Sequence, residues 1–260
     1  MEANRNRGLR ISVIGAGNVA THLAKAFHTS GAEIATVAAR TIESARMLAT
    51  QTGARAVTVN DSDADVDFII IAVSDKAVAE IAPLIPHSRA IVMHTSGSVP
   101  LEVLTSNGLN GGVLYPLQTF SRDVPVNLSE VPFFTEAINP EVLAQIDILA
   151  RTISNHIYHA DSVKRRSLHV AGVLTSNFPV YLLEVAQRVL EKAGFPLDVV
   201  KPLAEATLHK AFAIGPHDAL TGPARRGDIE VTRLQALSLE GNDRIIYETI
   251  TNAILDHYIH

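Results

Sequence analysis

The 260-residue sequence contains no cysteine and no tryptophan. The absence of cysteine excludes disulfide bonds, thiolate catalysis and cysteine-ligated metal sites, and it fits a cytosolic protein. Hydrophobic residues make up 47% of the chain and charged residues 19%. These proportions allow a substantial core and exclude global disorder.

Long apolar runs and dense basic stretches are also scarce. The longest uninterrupted apolar run, Phe68 to Val73, is far too short to span a bilayer. The polar stretch from Met1 to Gly8 lacks the apolar region of a signal peptide. The net charge is -5, and the basic run from Lys164 to Arg166 stands alone, which argues against nucleic-acid binding. We therefore expect a soluble, cytoplasmic protein with neither a nucleic acid nor a membrane as partner.

One stretch, from Ile11 to Ala20, has the pattern of a dinucleotide-binding turn. A short apolar strand runs directly into a Gly-x-Gly-x-x-Ala turn, and apolar residues at helical spacing follow. Gly15 permits the sharp turn, Gly17 lets a pyrophosphate approach the backbone, and Ala20 allows close helix packing. The helix N-terminus offers free N–H groups to the phosphates. The predicted phosphate-binding residues are Gly15, Ala16, Gly17, Asn18 and Val19.

The pair that follows the second predicted strand, Arg40-Thr41, indicates which dinucleotide binds. An NAD-type site has an acidic residue about 20 residues after the glycines, where it binds the ribose hydroxyls. The guanidinium of Arg40 instead matches the 2′-phosphate of NADP, and Thr41 can add a hydroxyl donor. The pattern predicts NADP(H) as the cofactor and argues against a methyltransferase. The alternative is that Arg40 is an exposed residue that begins the next helix.

Two later strands are predicted to end at the edge where ligands bind in a doubly wound sheet. The first ends in Ser74-Asp75, which we expect to cap the next helix. The second delivers the polar run from His94 to Ser98 to the same edge. The alternative is that Ser96 and Ser98 only cap a helix that starts near residue 100. The residues expected beside the cofactor are Ala72, Val73, Ser74, Thr95 and Ser96.

Strand and helix patterns alternate through the first 160 residues. This alternation predicts an α/β fold, with a Rossmann-like, mostly parallel sheet of about eight strands. From Asp161 onwards strand signals vanish and helical periodicity takes over. We therefore expect an NADP-binding domain at 1–160 and an all-α domain at 161–260. Within the latter, Asp228 is predicted to cap a helix over 229–239, after a loop-rich insertion at 215–227.

Two motifs in the first half are Gly-Ala-Gly-Asn-Val-Ala at 15–20 and Ala72-Val73-Ser74-Asp75. Together with the helical second half, they resemble the reductase superfamily that contains pyrroline-5-carboxylate reductase and 6-phosphogluconate dehydrogenase. Four further motifs are His94-Thr95-Ser96-Gly97-Ser98, Tyr115-Pro116-Leu117-Gln118-Thr119-Phe120, Ser176-Asn177-Phe178 and Leu220 to Asp228. They resemble more closely a branch labelled NADP oxidoreductases, which has a Rossmann-like domain and a helical C-terminal domain of unknown function. The sequence departs from the pattern of that branch at Tyr115, where histidine is expected, and at 167–171, where Tyr-His-Ala is expected.

The resemblance implies hydride transfer, with the proton-supplying group on the first long helix of the second domain. On that helix His169 can act as an acid, and Asn177 lies about 80° away around an ideal helix. Arg226 can bind a substrate carboxylate or phosphate. The alternatives are a structural His169, and an Arg226 that only pairs with Asp228 or braces a dimer. The candidate catalytic residues are Ser96, His169, Asn177 and Arg226, and no metal site is predicted.

The leading hypothesis is an NADP-dependent oxidoreductase that transfers hydride between NADPH and a small imine, ketone or alcohol. The resemblance also implies a homodimer formed through the helical domain. One alternative is a non-catalytic NADP-binding sensor or assembly protein, since a fold does not fix a function. The other is a deazaflavin-linked oxidoreductase.

Overall fold

The computed structural model describes residues 8–259. The expectation for the stretch from Met1 to Gly8 therefore falls almost entirely outside the described residues. The chain divides into two compact units, residues 8–176 and residues 177–259. The predicted boundary at about residue 160 separates a cofactor-binding domain from a helical domain by function, whereas these units are separated by packing. The functional boundary stays a prediction.

The first unit is built on one eight-stranded sheet with the order β3-β2-β1-β4-β5-β6-β7-β8. Strand β7 runs antiparallel to β6, and the other neighbouring pairs are parallel. This topology confirms the predicted Rossmann-like, mostly parallel α/β fold. The strands are β1 (Arg10–Ile14), β2 (Glu33–Ala38), β3 (Arg55–Val57), β4 (Phe68–Ile71), β5 (Ile91–His94), β6 (Gly111–Pro116), β7 (Phe133–Ala137) and β8 (Ile157–His159).

Helices cover both faces of this sheet, which is why its central strands are apolar on both sides. Leu23 and Phe27 pack into the core on one face, and Val78 and Leu104 pack on the other. The helices of this unit are α1 (Asn18–Thr29), α2 (Ile42–Thr52), α3 (Asp75–Ile81), α4 (Glu102–Thr105), α5 (Pro140–Ala150) and α6 (Ser162–Gly172). The carboxyl ends of β1, β2, β4 and β5 meet at one edge, where the candidate site lies.

The second unit is helical, as predicted. The residues expected to form a loop-rich insertion, 215–227, contain two short helices instead. Its helices are α7 (Phe178–Lys192), α8 (Lys201–Ile214), α9 (Pro216–Ala219), α10 (Pro223–Arg226), α11 (Ile229–Leu237) and α12 (Gly241–Tyr258).

The transition from α6 to α7 is a π-helical turn at Val173–Asn177. Because this turn is wider than an α-helical one, the angle of about 80° expected between His169 and Asn177 on an ideal helix does not apply. Among the described residues, the helical stretch Ser162–Lys192 is long enough to cross a membrane and contains an 18-residue window with a mean hydropathy of 1.2. Core helices of soluble proteins meet the same criterion of length and composition.

Two predicted helix caps are wrong. Ser74 precedes α3 without a capping side-chain bond, and the carboxylate of Asp75 accepts a hydrogen bond from the Ser98 hydroxyl. Asp228 precedes α11 without a capping bond, because its carboxylate pairs with Arg226 at 2.9 Å. In both places a stronger polar partner competes with the backbone N–H groups of the helix.

Candidate functional site

The glycine turn lies between the ends of β2 and β4. Gly15 has a φ of +126°, a conformation that favours glycine. Its N–H donates to the carbonyl of Ala38 at 2.7 Å. A Cβ at Gly15 would lie 2.1 Å from the Ala72 carbonyl oxygen, so a larger residue cannot occupy this position.

Open space lies in front of α1. Gly17 precedes the helix, and no heavy atom of the described residues lies within 4 Å of a Cβ placed there. The first helical hydrogen bond runs from the Thr21 N–H to the Gly17 carbonyl at 2.9 Å. Gly17 and Asn18 are exposed, whereas Ala20 is buried against the sheet. The helix N-terminus is therefore open to an anion.

Arg40 and Thr41 follow β2 and are both exposed. The Thr41 hydroxyl caps α2, where it accepts from the Ser44 N–H at 3.4 Å and lies 2.9 Å from the Ser44 hydroxyl. Thr41 is thus already engaged with the helix. The Arg40 guanidinium faces solvent beside the same edge of the sheet as the glycine turn.

The ends of β4 and β5 line the next part of the edge. The Ala72 N–H donates to Ile14 at 2.8 Å, and the Thr95 N–H donates to Ile71 at 3.2 Å. Ala72, Thr95 and Ser96 are buried, Val73 is half-buried and Ser74 is exposed.

The Ser96 hydroxyl shapes the turn that follows β5. It accepts hydrogen bonds from the N–H groups of Ser98 at 3.1 Å and Val99 at 3.0 Å. The alternative expected Ser96 to cap a helix near residue 100, but Ser98 and Val99 lie before α4, which has no side-chain cap. The Ser96 hydroxyl also lies 3.5 Å from the Ser98 hydroxyl, whose hydrogen goes to Asp75, and a catalytic role for Ser96 stays a prediction.

A tyrosine and a histidine meet against Gly97. The Tyr115 hydroxyl, at the end of β6, lies 3.1 Å from Nδ1 of His169 on α6. A Cβ at Gly97 would lie 2.7 Å from His169 Nδ1 and 2.8 Å from Tyr115 Cζ, so only glycine leaves room for both rings. Burial raises the pKa of Tyr115, and the negative charge of Asp75 raises it further. The phenol is therefore neutral at physiological pH.

A buried arginine ties this cluster together. Arg165 has no exposed surface, and its Nε donates to the Ser96 carbonyl at 3.1 Å. Its other nitrogens bind the Val99 carbonyl and form an ion pair with Glu136. Glu136 also accepts from the Ser162 hydroxyl at 3.1 Å. The network fixes the turn after β5 against α6, one helical turn before the histidine.

The other two candidate catalytic residues belong to the second unit. Asn177 is exposed at the end of the π-turn. Arg226 is exposed at the end of α10 and is paired with Asp228. This pair matches the structural alternative for Arg226, and catalytic roles for Asn177 and Arg226 stay predictions.

Both halves of the chain match known families. Residues 10–96 match a family described as "NADP oxidoreductase coenzyme F420-dependent", and residues 131–254 match a domain of unknown function, DUF2520. A "putative NADP oxidoreductase" from Bacteroides fragilis is 37% identical, with a TM-score of 0.90 over 96% of this chain and 98% of that chain. The chain belongs to the NADP oxidoreductase family. No curated protein matches it.

Two more distant structures share the fold of this NADP oxidoreductase. An imine reductase from Myxococcus stipitatus in complex with NADP+ is 17% identical, with a TM-score of 0.66 over 95% of this chain and 92% of that one. A reductive aminase from Aspergillus terreus in complex with NADPH and ethyl-5-oxohexanoate is 15% identical, with a TM-score of 0.70 over 96% and 94% of the two chains.

The family confirms NADP(H) as the cofactor, and the geometry of the glycine turn fits a dinucleotide. Gly15 closes the turn where a side chain is excluded, and Gly17 leaves the space that a pyrophosphate needs. Arg40 stands at the end of β2, where the adenosine ribose of a dinucleotide is recognised. When bound, NADPH supplies a hydride.

Sequence reasoning missed two side chains that position this oxidoreductase's site, Arg165 and Glu136. Arg165 stands in a basic run that resembles a solvated surface. Its spacing of four residues from His169 is the one signal that could have placed both on one face of α6. Glu136 carries no comparable signal, because its partners Ser162 and Arg165 are distant in sequence.

His94 is a structural residue in this NADP oxidoreductase. Burial lowers its pKa to about 3, and the positive charge of Arg165 contributes. The neutral ring accepts the Ser96 N–H at Nδ1 at 3.2 Å. It therefore holds the turn after β5 in place.

We expect His94 to make folding sensitive to acid. Its pKa is about 6.5 in the unfolded chain and about 3 in the folded protein. Between these values the unfolded state binds the extra proton, so the free energy of unfolding falls as the pH falls below about 6.5. From pH 7.5 to pH 5 this one group should remove about 2 kcal/mol. Urea denaturation of the wild type and His94→Asn checks this, and parallel pH profiles would contradict it.

Proposed function

We propose that the protein is an NADP-dependent reductase that transfers hydride from NADPH to a small substrate with a C=N or C=O bond. The observation that supports this most is the Tyr115–His169 pair held against Gly97. The pair lies beside the end of β5, at the sheet edge that also carries the glycine turn. In such sheets ligands bind at the carboxyl ends of the strands.

Reduction of an imine or a ketone needs one proton besides the hydride. His169 supplies it in this proposal. Its Nδ1 is engaged with the Tyr115 hydroxyl at 3.1 Å, which leaves Nε2 for the substrate nitrogen or oxygen. The neutral phenol of Tyr115 orients the ring, and the turn held by Arg165 keeps Gly97 against both rings.

An imine substrate is preferred over a ketone or an alcohol in this proposal. The imine reductase that shares the fold acts on such groups, as its name states. Protonation of an imine nitrogen by an imidazolium is also easier than protonation of a ketone oxygen, because the nitrogen is more basic. Asn177 and Arg226 remain the candidates for substrate contacts from the helical unit.

One finding favours a second function. The family that matches residues 10–96 is described as coenzyme F420-dependent. A deazaflavin would then exchange hydride with NADP(H) in place of an imine. The same glycine turn and Arg40 would serve either reaction.

A turnover panel separates these functions. Purified protein and NADPH are mixed with cyclic imines, with ketones plus amines, with ketones alone and with an oxidised deazaflavin, and NADPH loss is followed by absorbance. We expect turnover with imines above the rate with ketones. Turnover with the deazaflavin alone would support the second function. Tight NADPH binding without turnover on any compound would support a sensor.

Arg40 should set the preference for NADPH over NADH. Removal of a charge-assisted, bidentate contact with the 2′-phosphate should weaken NADPH binding by about 10- to 100-fold in Arg40→Ala and leave NADH binding unchanged. Calorimetric titration of both cofactors measures the effect. Arg46→Ala, an exposed arginine on the neighbouring helix α2, is the matched control. Equal wild-type affinities for the two cofactors would refute the assignment.

We also propose that the protein is a cytoplasmic homodimer. Helices α7 and α8 contain no buried residue, and Phe212, Leu203 and Val180 are 89%, 68% and 66% exposed. An apolar surface of this extent is typical of a face that a second chain covers. Sedimentation of the purified protein tests the dimer, and a monomer at micromolar concentration would contradict it.

A further inference from the structure

The segment that follows β6, residues 117–122, is fastened to the glycine turn and α1. The Asn18 side-chain amide donates to the Phe120 carbonyl at 2.8 Å, and His22 Nε2 lies 3.0 Å from the Ser121 carbonyl. The Phe120 ring is almost fully buried and lies 5.1 Å from the His22 ring. These contacts give the segment a fixed place over the start of α1.

Arg122 comes next and reaches the glycine turn itself. Its Nη2 donates to the carbonyl of Ala16 at 2.8 Å. Ala16 is the middle residue of the Gly-x-Gly turn, and the Arg122 side chain is exposed. A guanidinium has five N–H donors in a rigid fork, so one bond to a carbonyl leaves most of its capacity for a ligand.

The charge around the turn explains why a guanidinium belongs there. Residues 15–20 contain no charged side chain, and the first turn of α1 has no acidic residue. The backbone N–H groups and the helix dipole supply only partial positive charge to a phosphate. A guanidinium adds a full charge and bidentate geometry suited to phosphate oxygens.

We propose that Arg122 binds the pyrophosphate of NADP(H) and so performs a different task from Arg40, which reads the 2′-phosphate. The segment after β6 then joins the two parts of the site, because it follows Tyr115 at the end of β6 and ends at Arg122. This assignment rests on the proposed function only in that the protein binds NADP(H). It requires no particular substrate.

Binding measurements with three ligands test the assignment. NADPH, NADH and adenosine 2′-monophosphate are titrated calorimetrically into the wild type, Arg122→Ala and Arg122→Lys. NADPH and NADH both contain the pyrophosphate, whereas adenosine 2′-monophosphate lacks it. Arg89→Ala is the matched control, since Arg89 is an exposed arginine just before β5, at the opposite end of the strands.

We expect Arg122→Ala to weaken the binding of NADPH and the binding of NADH by the same factor, about 10- to 100-fold. Binding of adenosine 2′-monophosphate should not change, and neither should the melting temperature without ligand. Arg122→Lys should recover part of the loss, because it keeps the charge without the fork.

Three results would overturn the assignment. The first is an unchanged affinity for both dinucleotides in Arg122→Ala, with normal binding to the wild type. The second is an equal loss of affinity for all three ligands in Arg122→Ala, which would mean that Arg122 only stabilises the glycine turn. The third is a wild type that binds neither dinucleotide, which would also overturn the proposed function.

Discussion

His169→Gln is expected to lower the turnover number of NADPH-dependent reduction by about 100- to 10,000-fold, the range seen when a general acid is removed. The glutamine amide can occupy the space of the imidazole and accept from the Tyr115 hydroxyl, but it cannot supply a proton. The NADPH dissociation constant should stay close to that of the wild type. Steady-state kinetics with the best imine of the panel, together with calorimetric NADPH titration, measure both quantities.

His156→Gln is the control for this variant, because His156 is an exposed histidine on the approach to β8. It should retain wild-type turnover. An unchanged turnover number in His169→Gln would show that the proton comes from another group.

Gly97→Ala is expected to push the His169 and Tyr115 rings apart. The turnover number should fall by about 100-fold, the cost of a displacement of about 1 Å at a reacting group. The added Cβ would lie 2.7 Å from His169 Nδ1 and 2.8 Å from Tyr115 Cζ. Real Cβ contacts are almost never this short, so one ring must move. The crowding should also cost about 1–3 kcal/mol of folding stability.

A double variant tests whether the stability lost in Gly97→Ala comes from the contact between the new Cβ and the His169 ring. In Gly97→Ala combined with His169→Ala, one of the two rings that the new Cβ meets is gone, and the Tyr115 ring can shift into the space that it leaves. The alanine at 97 should then cost much less stability than it does alone, as a coupling between contacting residues predicts. Denaturant unfolding of the four proteins gives the coupling. Additive losses would place the strain of Gly97→Ala elsewhere, away from His169.

The sequence was sufficient to predict the elements that position the cofactor. The apolar run that becomes β4, the Gly-x-Gly turn after β1 and the helical pattern of α1 are local signals, each produced by a few neighbouring residues. The same holds for Arg40, because its place depends only on where β2 ends. Local patterns therefore account for the cofactor side of the site.

The arrangement around His169 depends on contacts that no local pattern records. Arg165 is buried because Glu136 neutralises it, and Glu136 lies there because β7 runs antiparallel to β6 and pairs it with Val113. Tyr115 and His169 are 54 residues apart and meet through the same topology. The predicted caps at Ser74 and Asp228 failed for a related reason, since Asp75 and Asp228 bind side chains that propensity rules do not see.

A crystal structure of the NADPH complex tests the central claim most directly. We expect the nicotinamide ring against Ser96 and Gly97, with its C4 atom facing the space beside His169 Nε2, and the 2′-phosphate on Arg40. A nicotinamide ring bound away from the Tyr115–His169 pair, with its C4 atom out of reach of that space, would contradict the account.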